Sequence, residues 1–195
     1  MSSWLVVGLG NPGPAFASQR HNIGYRVADE LARRMGIRFS AKRGMRAEVA
    51  EGRVGPPGAD GSSRLVLAKS RTFMNETGAA VSRLLSYYKL QPAQMIVVHD
   101  ELDIDPGQLR VKFGGGDNGH NGLRSVRQSL GTGDFFRVRI GVGRPPGRQD
   151  PADFLLSNFP ASVRGDVEVE ISRAADAVES LVLIGLDRTQ SAFNS

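Results

Sequence analysis

Short apolar runs alternate with helical periodicities along the whole chain, and this alternation restricts the fold more than any other feature. The first apolar run, at residues 4–7, is typical of a buried strand, and apolar residues then recur at helical spacing over residues 23–35. Interleaved strands and helices favour an α/β fold with a largely parallel sheet, because each helix returns the chain to the edge where the next strand begins.

The same periodicity predicts further strands at residues 47–54, 64–69, 95–99, 108–113 and 136–142. The segment GPPGADGSS, at residues 55–63, is typical of a hairpin loop, so the strands on either side of it are expected to be antiparallel. Helices are predicted at residues 77–89, at residues 123–130 and through the C-terminal remainder, where Gly185 is a stop signal. We therefore predict a single α/β domain over residues 1–195, with a mixed, mostly parallel, twisted sheet flanked by helices on both faces.

Four motif-like segments each follow a predicted strand. They are GNPG, TFMN, HDELD and GGGDNGHNG. Ligands of α/β sheets bind beyond the carboxyl ends of the strands. These four segments are therefore expected to converge on one site.

The net charge of +5 is distributed unevenly along the chain. Residues 1–75 carry +7 and residues 106–148 carry +6, whereas residues 76–105 carry −3 and residues 149–195 carry −5. Two basic blocks on one face would attract a polyanion such as a nucleic acid. The same charges also suit a solvated surface, so charge alone leaves both interpretations open.

The first glycine-rich loop matches the spacing of a dinucleotide-binding fingerprint but not its chemistry. Gly8, Gly10 and Gly13 have the required spacing, yet Pro12 removes a backbone donor from the turn that should face the pyrophosphate. The acidic residue expected about 20 residues further on is also missing from a strand end, because Asp29 lies within the predicted helix. We interpret this loop as a tight turn rather than a nicotinamide site.

The other two ligand-like segments also lack the pattern of a known metal or nucleotide loop. The second glycine cluster has no Gly-Lys-Ser/Thr, so it is not a Walker loop, although its amides suit an oxyanion or a phosphate. The acidic run does not match an EF-hand. A two-metal nuclease stays open as an alternative, since carboxylates beside basic surface suit phosphoryl chemistry.

Histidine is the remaining candidate for the central catalytic group. Cysteine is absent, which excludes thiolate catalysis and disulfides and suits a reducing compartment. His21 follows the first loop, where the site should lie, and an ordinary pKa near ~6.5 suits a general base. Asp100 is the best placed partner to orient it. His99 is predicted to be a core or wall residue, and His120 a loop residue near the site.

Three asparagines also fall on strand-end loops: Asn11, Asn75 and Asn121. Each has a structural explanation, a turn for the first and a helix N-cap for the other two. Together they would offer neutral amides that donate to a carbonyl or an oxyanion. A histidine base, a carboxylate and amide donors indicate direct attack of water on an ester or amide.

The chain resembles the bacterial peptidyl-tRNA hydrolase family over about residues 4–185. The segments that carry the resemblance are GLGNPG, FASQRHNIG, KSRTFMNETG, VVHDELDIDPGQLRVKFGGGDNGHNGLRS and FRVRIGVGRP, in this order. The resemblance implies cleavage of the ester between a peptide and the 3′ ribose of tRNA, with no cofactor and no metal. It also implies a monomer that contacts the acceptor stem and the 3′ end.

The resemblance also implies roles for individual residues. His21 would be the general base, Asp100 would hold it in its basic form, and Asn11 would help to distinguish an N-blocked peptide from a free aminoacyl group. Contacts with the 3′ end and the carbonyl are implied for Phe73, Met74, Asn75 and Asn121.

Phosphate contacts are implied for Lys112 and for one of Arg137, Arg139 and Arg144. Phe16 stands where the family usually has tyrosine, so a ring is kept and a hydroxyl is lost. A non-catalytic RNA-binding protein of the same fold is the main alternative, and the retained site residues argue for the enzyme. Without a signal-like N-terminus or a run of ~18 apolar residues, the protein is expected in the cytoplasm, away from membranes.

Overall fold

The computed structural model of the chain describes residues 2–58 and 61–194. Its strands are β1 (Ser2–Gly8), β2 (Ser40–Lys42), β3 (Ala47–Val54), β4 (Ser63–Ser70), β5 (Met95–Glu101), β6 (Leu109–Phe113) and β7 (Phe136–Gly141). Its helices are α1 (Ile23–Met35), α2 (Thr77–Tyr88), α3 (Asn121–Leu130), α4 (Pro151–Leu155), α5 (Arg164–Ile184) and α6 (Leu186–Phe193). Ala59 and Asp60, in the predicted hairpin loop, lie outside the described residues.

The seven strands form one sheet in the order β2-β3-β4-β1-β5-β7-β6. The central strands β4, β1, β5 and β7 are parallel to one another. The remaining neighbours are antiparallel, including the expected hairpin of β3 and β4. The predicted α/β class with a mixed, mostly parallel sheet is therefore confirmed.

The edges of the sheet differ from the prediction in two respects. The short strand β2 has no apolar run and was not predicted, and β6 runs antiparallel to β7, with Leu109 opposite Ile140 and Phe113 opposite Phe136. A run of five residues indicates a strand but not its direction, which depends on how the following loop returns. Asn194 covers the outer edge of β6, where its side chain accepts from the Val111 amide at 2.7 Å and donates to its carbonyl at 3.0 Å.

Helices cover both faces of the sheet. One core cluster joins α1 and α5 to the sheet, and the other joins α2 and α3 to the opposite face. The central strands are buried on both faces, which explains why residues 5–7 and 95–98 are continuous apolar runs. Of the helices in residues 2–58 and 61–194, none combines the length and apolar composition needed to cross a bilayer.

Two glycines set the position of α1. Gly36 ends the helix in the left-handed region, with φ 67°. Gly24, in the first turn, packs so closely on the strand ends that a Cβ there would lie 2.3 Å from the Val98 carbonyl oxygen and 2.6 Å from the Leu9 nitrogen. This close approach brings the turn just before the helix, which contains His21, to the end of β5.

The C-terminal remainder is helical as predicted, but it forms three helices. Helix α5 buries its apolar face against the sheet, and Gly185 ends it at φ 87°. Helix α6 then packs on β6, and the short helix α4 precedes α5.

Candidate active site

The candidate site lies at the carboxyl ends of β1, β4 and β5. GNPG and TFMN follow β1 and β4, and HDELD begins in the last residues of β5, so these three motif segments meet at one edge of the sheet as expected. The fourth, GGGDNGHNG, follows β6, and β6 ends at the opposite edge because it is antiparallel to its neighbour. The glycine loop returns along the sheet and brings His120 and Asn121 back to the site.

His21 and Asp100 form a buried pair. His21 lies in a 3₁₀ turn (Arg20–Asn22) before α1, and Asp100 lies near the end of β5. His21 Nδ1 is 2.7 Å from Asp100 Oδ2. A carboxylate only accepts, so Nδ1 carries the proton and Nε2 keeps its lone pair. The nitrogen that faces away from Asp100 is thus a base.

The same contact shifts both pKa values. Burial lowers the pKa of His21, but the charge of Asp100 and its hydrogen bond outweigh that effect and leave the pKa raised. Burial would raise the pKa of Asp100, yet the charges and hydrogen bonds of His21 and His120 hold it well below its usual range. Asp100 is therefore an anion across the physiological range of pH.

His120 is a further member of the site, although the sequence predicted only a nearby loop residue. Its Nε2 lies 2.9 Å from Asp100 Oδ1, so the carboxylate is shared between two imidazoles. Its Nδ1 accepts from the amides of Gly122 at 3.1 Å and Leu123 at 3.3 Å, which makes His120 the N-cap of α3. An accepting Nδ1 leaves the proton on Nε2, and this proton points at Asp100.

The structure does not support the alternative explanation of Asn75 and Asn121 as helix N-caps. His120 caps α3, and the cap residue of α2 is Glu76. Both asparagines are exposed, and across residues 2–58 and 61–194 neither side chain has a hydrogen-bond partner. Their amides are therefore available to a ligand. The position of His120 directly before a helix was the signal for its capping role.

His99 forms the wall of the site, as predicted. It is fully buried, and its Nδ1 donates to the Asp100 carbonyl oxygen at 2.7 Å. Burial, followed by the neighbouring His120, lowers the pKa of His99 to about 3, so this ring stays neutral. The ring centroids of His99 and His120 lie 5.0 Å apart in an edge-on contact.

Asn11 is held by a clamp that the sequence did not reveal. The side chain of Asn22 accepts from the Asn11 amide at 3.0 Å and donates to the Asn11 carbonyl at 2.8 Å. The Asn11 Oδ1 atom accepts from the Met74 amide at 2.7 Å. Its Nδ2 is left to donate to a ligand. Asn22 directly follows His21, which was the only signal for its role.

Two aromatic rings lie beside these polar groups. Phe73 is 56% exposed, and its ring packs edge-on against Phe16 with centroids 6.2 Å apart. Met74, the next residue, is buried. An exposed phenylalanine next to a polar site provides a flat apolar surface on which a planar group can stack.

Arg137 does not fit the role of a phosphate contact. It is fully buried, and its guanidinium donates to the carbonyl oxygens of Gly115 at 2.7 Å, Gly133 at 3.0 Å and Gly116. Because side chains alternate along β7, Arg137 points to the face of the sheet that the glycine loop covers. Its hydrogen bonds attach that loop to the sheet. The expectation of a surface cation fails because tertiary packing covers this part of the strand.

The other three predicted cations differ in their availability. Arg144 is paired with Asp103, at 2.6 Å between Nε and Oδ1. Lys112 and Arg139 are partly buried, and within residues 2–58 and 61–194 no carboxylate pairs with either. Burial, and next the charge of Arg139, lowers the pKa of Lys112. These two cations are the ones left to meet an anionic ligand.

The site also contains three possible metal ligands. Atoms of His21, Asp100 and His120 lie within 4.8 Å of one another. Ligation would require each imidazole to give up the proton that it shares with Asp100. His120 would then carry its proton on Nδ1, where two backbone amides already point. The hydrogen bonds of this cluster therefore favour protons on the two imidazole nitrogens that face Asp100 over a bound metal ion.

Comparisons with known proteins agree with these features. A family model described as Peptidyl-tRNA hydrolase matches residues 5–195. The chain is 54% identical to a peptidyl-tRNA hydrolase of Cutibacterium acnes, over 99% of this chain and 98% of that protein. It is 55% identical to one of Streptomyces coelicolor, over 98% and 95%. A crystal structure of peptidyl-tRNA hydrolase from Acinetobacter baumannii superposes with a TM-score of 0.86 at 32% identity, covering 98% of this chain and 94% of that one.

Proposed function

The chain belongs to the peptidyl-tRNA hydrolase family, and from that membership we propose that it hydrolyses peptidyl-tRNA by general-base activation of water at His21. The products are free tRNA and a peptide with a new carboxyl group. The observation that carries the proposal is the buried contact of His21 Nδ1 with Asp100 Oδ2, 2.7 Å long, which leaves Nε2 unprotonated. A base in this state can accept a proton from water.

The reaction needs one proton acceptor and donors for one oxyanion. A water between His21 Nε2 and the ester carbonyl loses a proton to Nε2 while its oxygen forms a bond to the carbonyl carbon. The carbonyl oxygen becomes an oxyanion. The ester C–O bond then breaks, and the ribose oxygen leaves with the proton returned by His21. General-base catalysis of this kind contributes about 10²–10⁴-fold to a rate.

Asp100 stabilises the intermediate stage, in which His21 carries a positive charge. Its pKa is far below the usual range, so it stays an anion and does not take the proton itself. The hydrogen bond from His120 keeps the second carboxylate oxygen in place. The carboxylate is thereby oriented before the reaction begins and needs little rearrangement as charge develops.

The amide groups around the pair are proposed to hold the peptide. The free Nδ2 of Asn11 and the exposed amides of Asn75 and Asn121 can donate to carbonyl or oxyanion oxygens. Asn11 is proposed to distinguish an N-blocked peptide, since its orientation is set by Asn22 and Met74. The exposed ring of Phe73, beside Phe16, is proposed to stack on the 3′ end of the tRNA.

The acceptor stem is proposed to bind the face of β6 and β7 that carries their basic residues. Lys112 lies opposite Arg137, and Arg110 lies opposite Arg139. Like charges directly opposite each other destabilise a sheet unless an anion neutralises them. A phosphate near Lys112 and Arg139 supplies that neutralisation without reading a base sequence.

The site residues all come from one chain, so we propose that a monomer is active. Peptidyl-tRNA arises at ribosomes, so the cytoplasm is the proposed location. A non-catalytic RNA-binding protein would need neither the His21–Asp100 pair nor the clamp on Asn11, so both features support the enzyme over this alternative.

The proposal is tested with N-acetyl-aminoacyl-tRNA and, in parallel, free aminoacyl-tRNA. Release of the acetylated amino acid alone is expected, with intact tRNA and no effect of a chelator. His21→Ala should abolish release and keep the melting temperature. Turnover unchanged in H21A would reject His21 as the base, and cut RNA would point to the nuclease.

A further inference from the structure

A large cavity lies between α5 and the segment that follows β7. Its volume is about 650 Å³, which is in the range of small-molecule and peptide sites. Its walls are mainly apolar, from Val142, Phe154, Phe159, Val163 and Val167. None of these residues belongs to the site described above.

The wall of the cavity neighbours the catalytic pair both along the chain and across the sheet. Arg20, on its wall, directly precedes His21 in the same 3₁₀ turn. Gly141, also on the wall, follows Ile140, and Ile140 lies opposite Asp100 in the pairing of β5 with β7. Neighbouring strands are about 4.8 Å apart. A chain held at His21 therefore needs only a few residues to reach the cavity.

The charges of the cavity do not suit RNA. Asp105, Asp166 and Glu170 line it. Three arginines also line it: Arg144 pairs with Asp103, Arg173 donates to the Gly107 carbonyl oxygen, and the Arg20 guanidinium lies 4.0 Å from the centre of the Phe154 ring. Three acidic and three basic side chains leave the lining without the net positive charge that would attract a phosphate backbone.

One carboxyl group in the cavity is suited to hydrogen bonding with a peptide. Glu170 is only 8% exposed and accepts a backbone hydrogen bond from Gly107. A carboxylate has capacity for several hydrogen bonds. Within residues 2–58 and 61–194 no other donor is hydrogen-bonded to it, so backbone N–H groups of a ligand can approach.

The sheet separates this cavity from the basic face. On β7, Val138 and Ile140 point into the core formed with α1 and α5, whereas Arg137 and Arg139 alternate to the other face. The cavity is on the α5 side, and the cations that can meet phosphate are on the α3 side. A substrate whose ester lies above the strand ends would therefore have the cavity on one side of the sheet for its peptide half and the cations on the other side for its tRNA half.

We propose that this cavity binds the peptide half of the substrate, taking up apolar side chains a few residues before the ester. The proposal rests on the function proposed above and specifies where the acyl chain goes. Burial of one apolar side chain in the cavity should lower KM by about tenfold. The effect should appear for peptides and not for a single blocked amino acid.

The experiment compares two tRNA substrates with the same C-terminal amino acid. One carries an N-acetylated single residue, and the other an N-acetylated tetrapeptide rich in leucine. Wild-type protein should show about tenfold lower KM for the tetrapeptide. Val163 and Val169 both line the cavity, so Val163→Trp and Val169→Trp narrow it and should remove that difference, with kcat unchanged. Leu183→Trp is the matched control, because it places the same ring on α5 outside the cavity.

The outcomes separate this proposal from the function it rests on. Failure of wild-type protein to release the single residue would reject the function. Release of both substrates with equal KM, or an equal rise in both for the two variants, would overturn the cavity proposal alone. Self-association that V169W abolishes and L183W keeps would assign the cavity to a second copy of the chain, and would also overturn it.

Discussion

The Oδ1 atom of Asp100 lies 2.9 Å from Nε2 of His120, whose other ring nitrogen caps helix α3. The N-terminus of α3 thus determines that Nε2 of His120 carries the proton, and the hydrogen bond from Nε2 fixes the position of the Asp100 carboxylate. The opposite carboxylate oxygen contacts His21. The protonation state of the base is therefore set by a chain of contacts that begins at the first backbone amides of α3.

Substitution of His120 separates its two roles. His120→Asn keeps a good N-cap residue and loses the hydrogen bond to Asp100, so stability should change little while kcat falls about 10–100-fold. His120→Ala should lose both, with about 1 kcal/mol less stability as well. Denaturant unfolding and single-turnover kinetics measure the two effects. Equal activity of H120N and wild type would contradict the role given to this contact.

Removal of the Asp100 charge should change the pH dependence. The pKa of His21 is raised by Asp100, and only the deprotonated ring is active, so wild-type kcat/KM should rise with pH through a value above ~6.5. In Asp100→Asn burial acts without the opposing charge, so the rise should move to lower pH. The plateau should fall by about 10² or more, because the imidazolium loses its partner. A rise that stays at the same pH in D100N would refute the assignment.

Lys112 on β6 and Arg139 on β7 should affect tRNA binding and leave the chemical step unchanged. Lys112→Ala and Arg139→Ala should raise KM for full-length tRNA and lower the salt slope of binding by about 1 each. Turnover of a minimal ester that carries only the terminal nucleoside should stay within about twofold. Arg144→Ala is the comparison, since Arg144 is already paired with Asp103. A salt slope that changes in R144A as much as in K112A would count against this division.

Arg137 should behave as a structural residue. Arg137→Met removes the donors to three carbonyl oxygens, so the free energy of unfolding should fall by about 2–4 kcal/mol. Amide exchange in the glycine loop at residues 114–119 should speed up more than in β1. A melting temperature equal to that of wild type, together with weaker tRNA binding, would restore the phosphate contact that the sequence suggested.

The clamp on Asn11 can be tested by a change of nearly the same shape. Asn22→Asp keeps the acceptor for the Asn11 amide and loses the donor to its carbonyl, where a carboxylate oxygen then faces a carbonyl oxygen. We expect kcat/KM to fall at least tenfold. The readout is the ratio of rates on N-acetyl-aminoacyl-tRNA and free aminoacyl-tRNA, which a purely structural defect would leave unchanged.

Local sequence determined much of the fold and the identity of the central base. The boundaries of α1 and β3 follow from periodicity and from glycines, which are properties of neighbouring residues. His21 and Asp100 were identifiable because one follows the loop after β1 and the other lies at the end of β5, and parallel strands end at one edge.

Tertiary structure decided what each remaining polar side chain meets. His120 contacts Asp100 across 20 positions of sequence, and Arg137 is turned beneath a loop 21 positions away. Both contacts depend on the antiparallel course of β6 and the return of its glycine loop. The type of a residue shows whether its side chain is charged or can donate a hydrogen bond. Its burial and its partner depend on the register and direction of the strands, which arise from packing over the whole sheet.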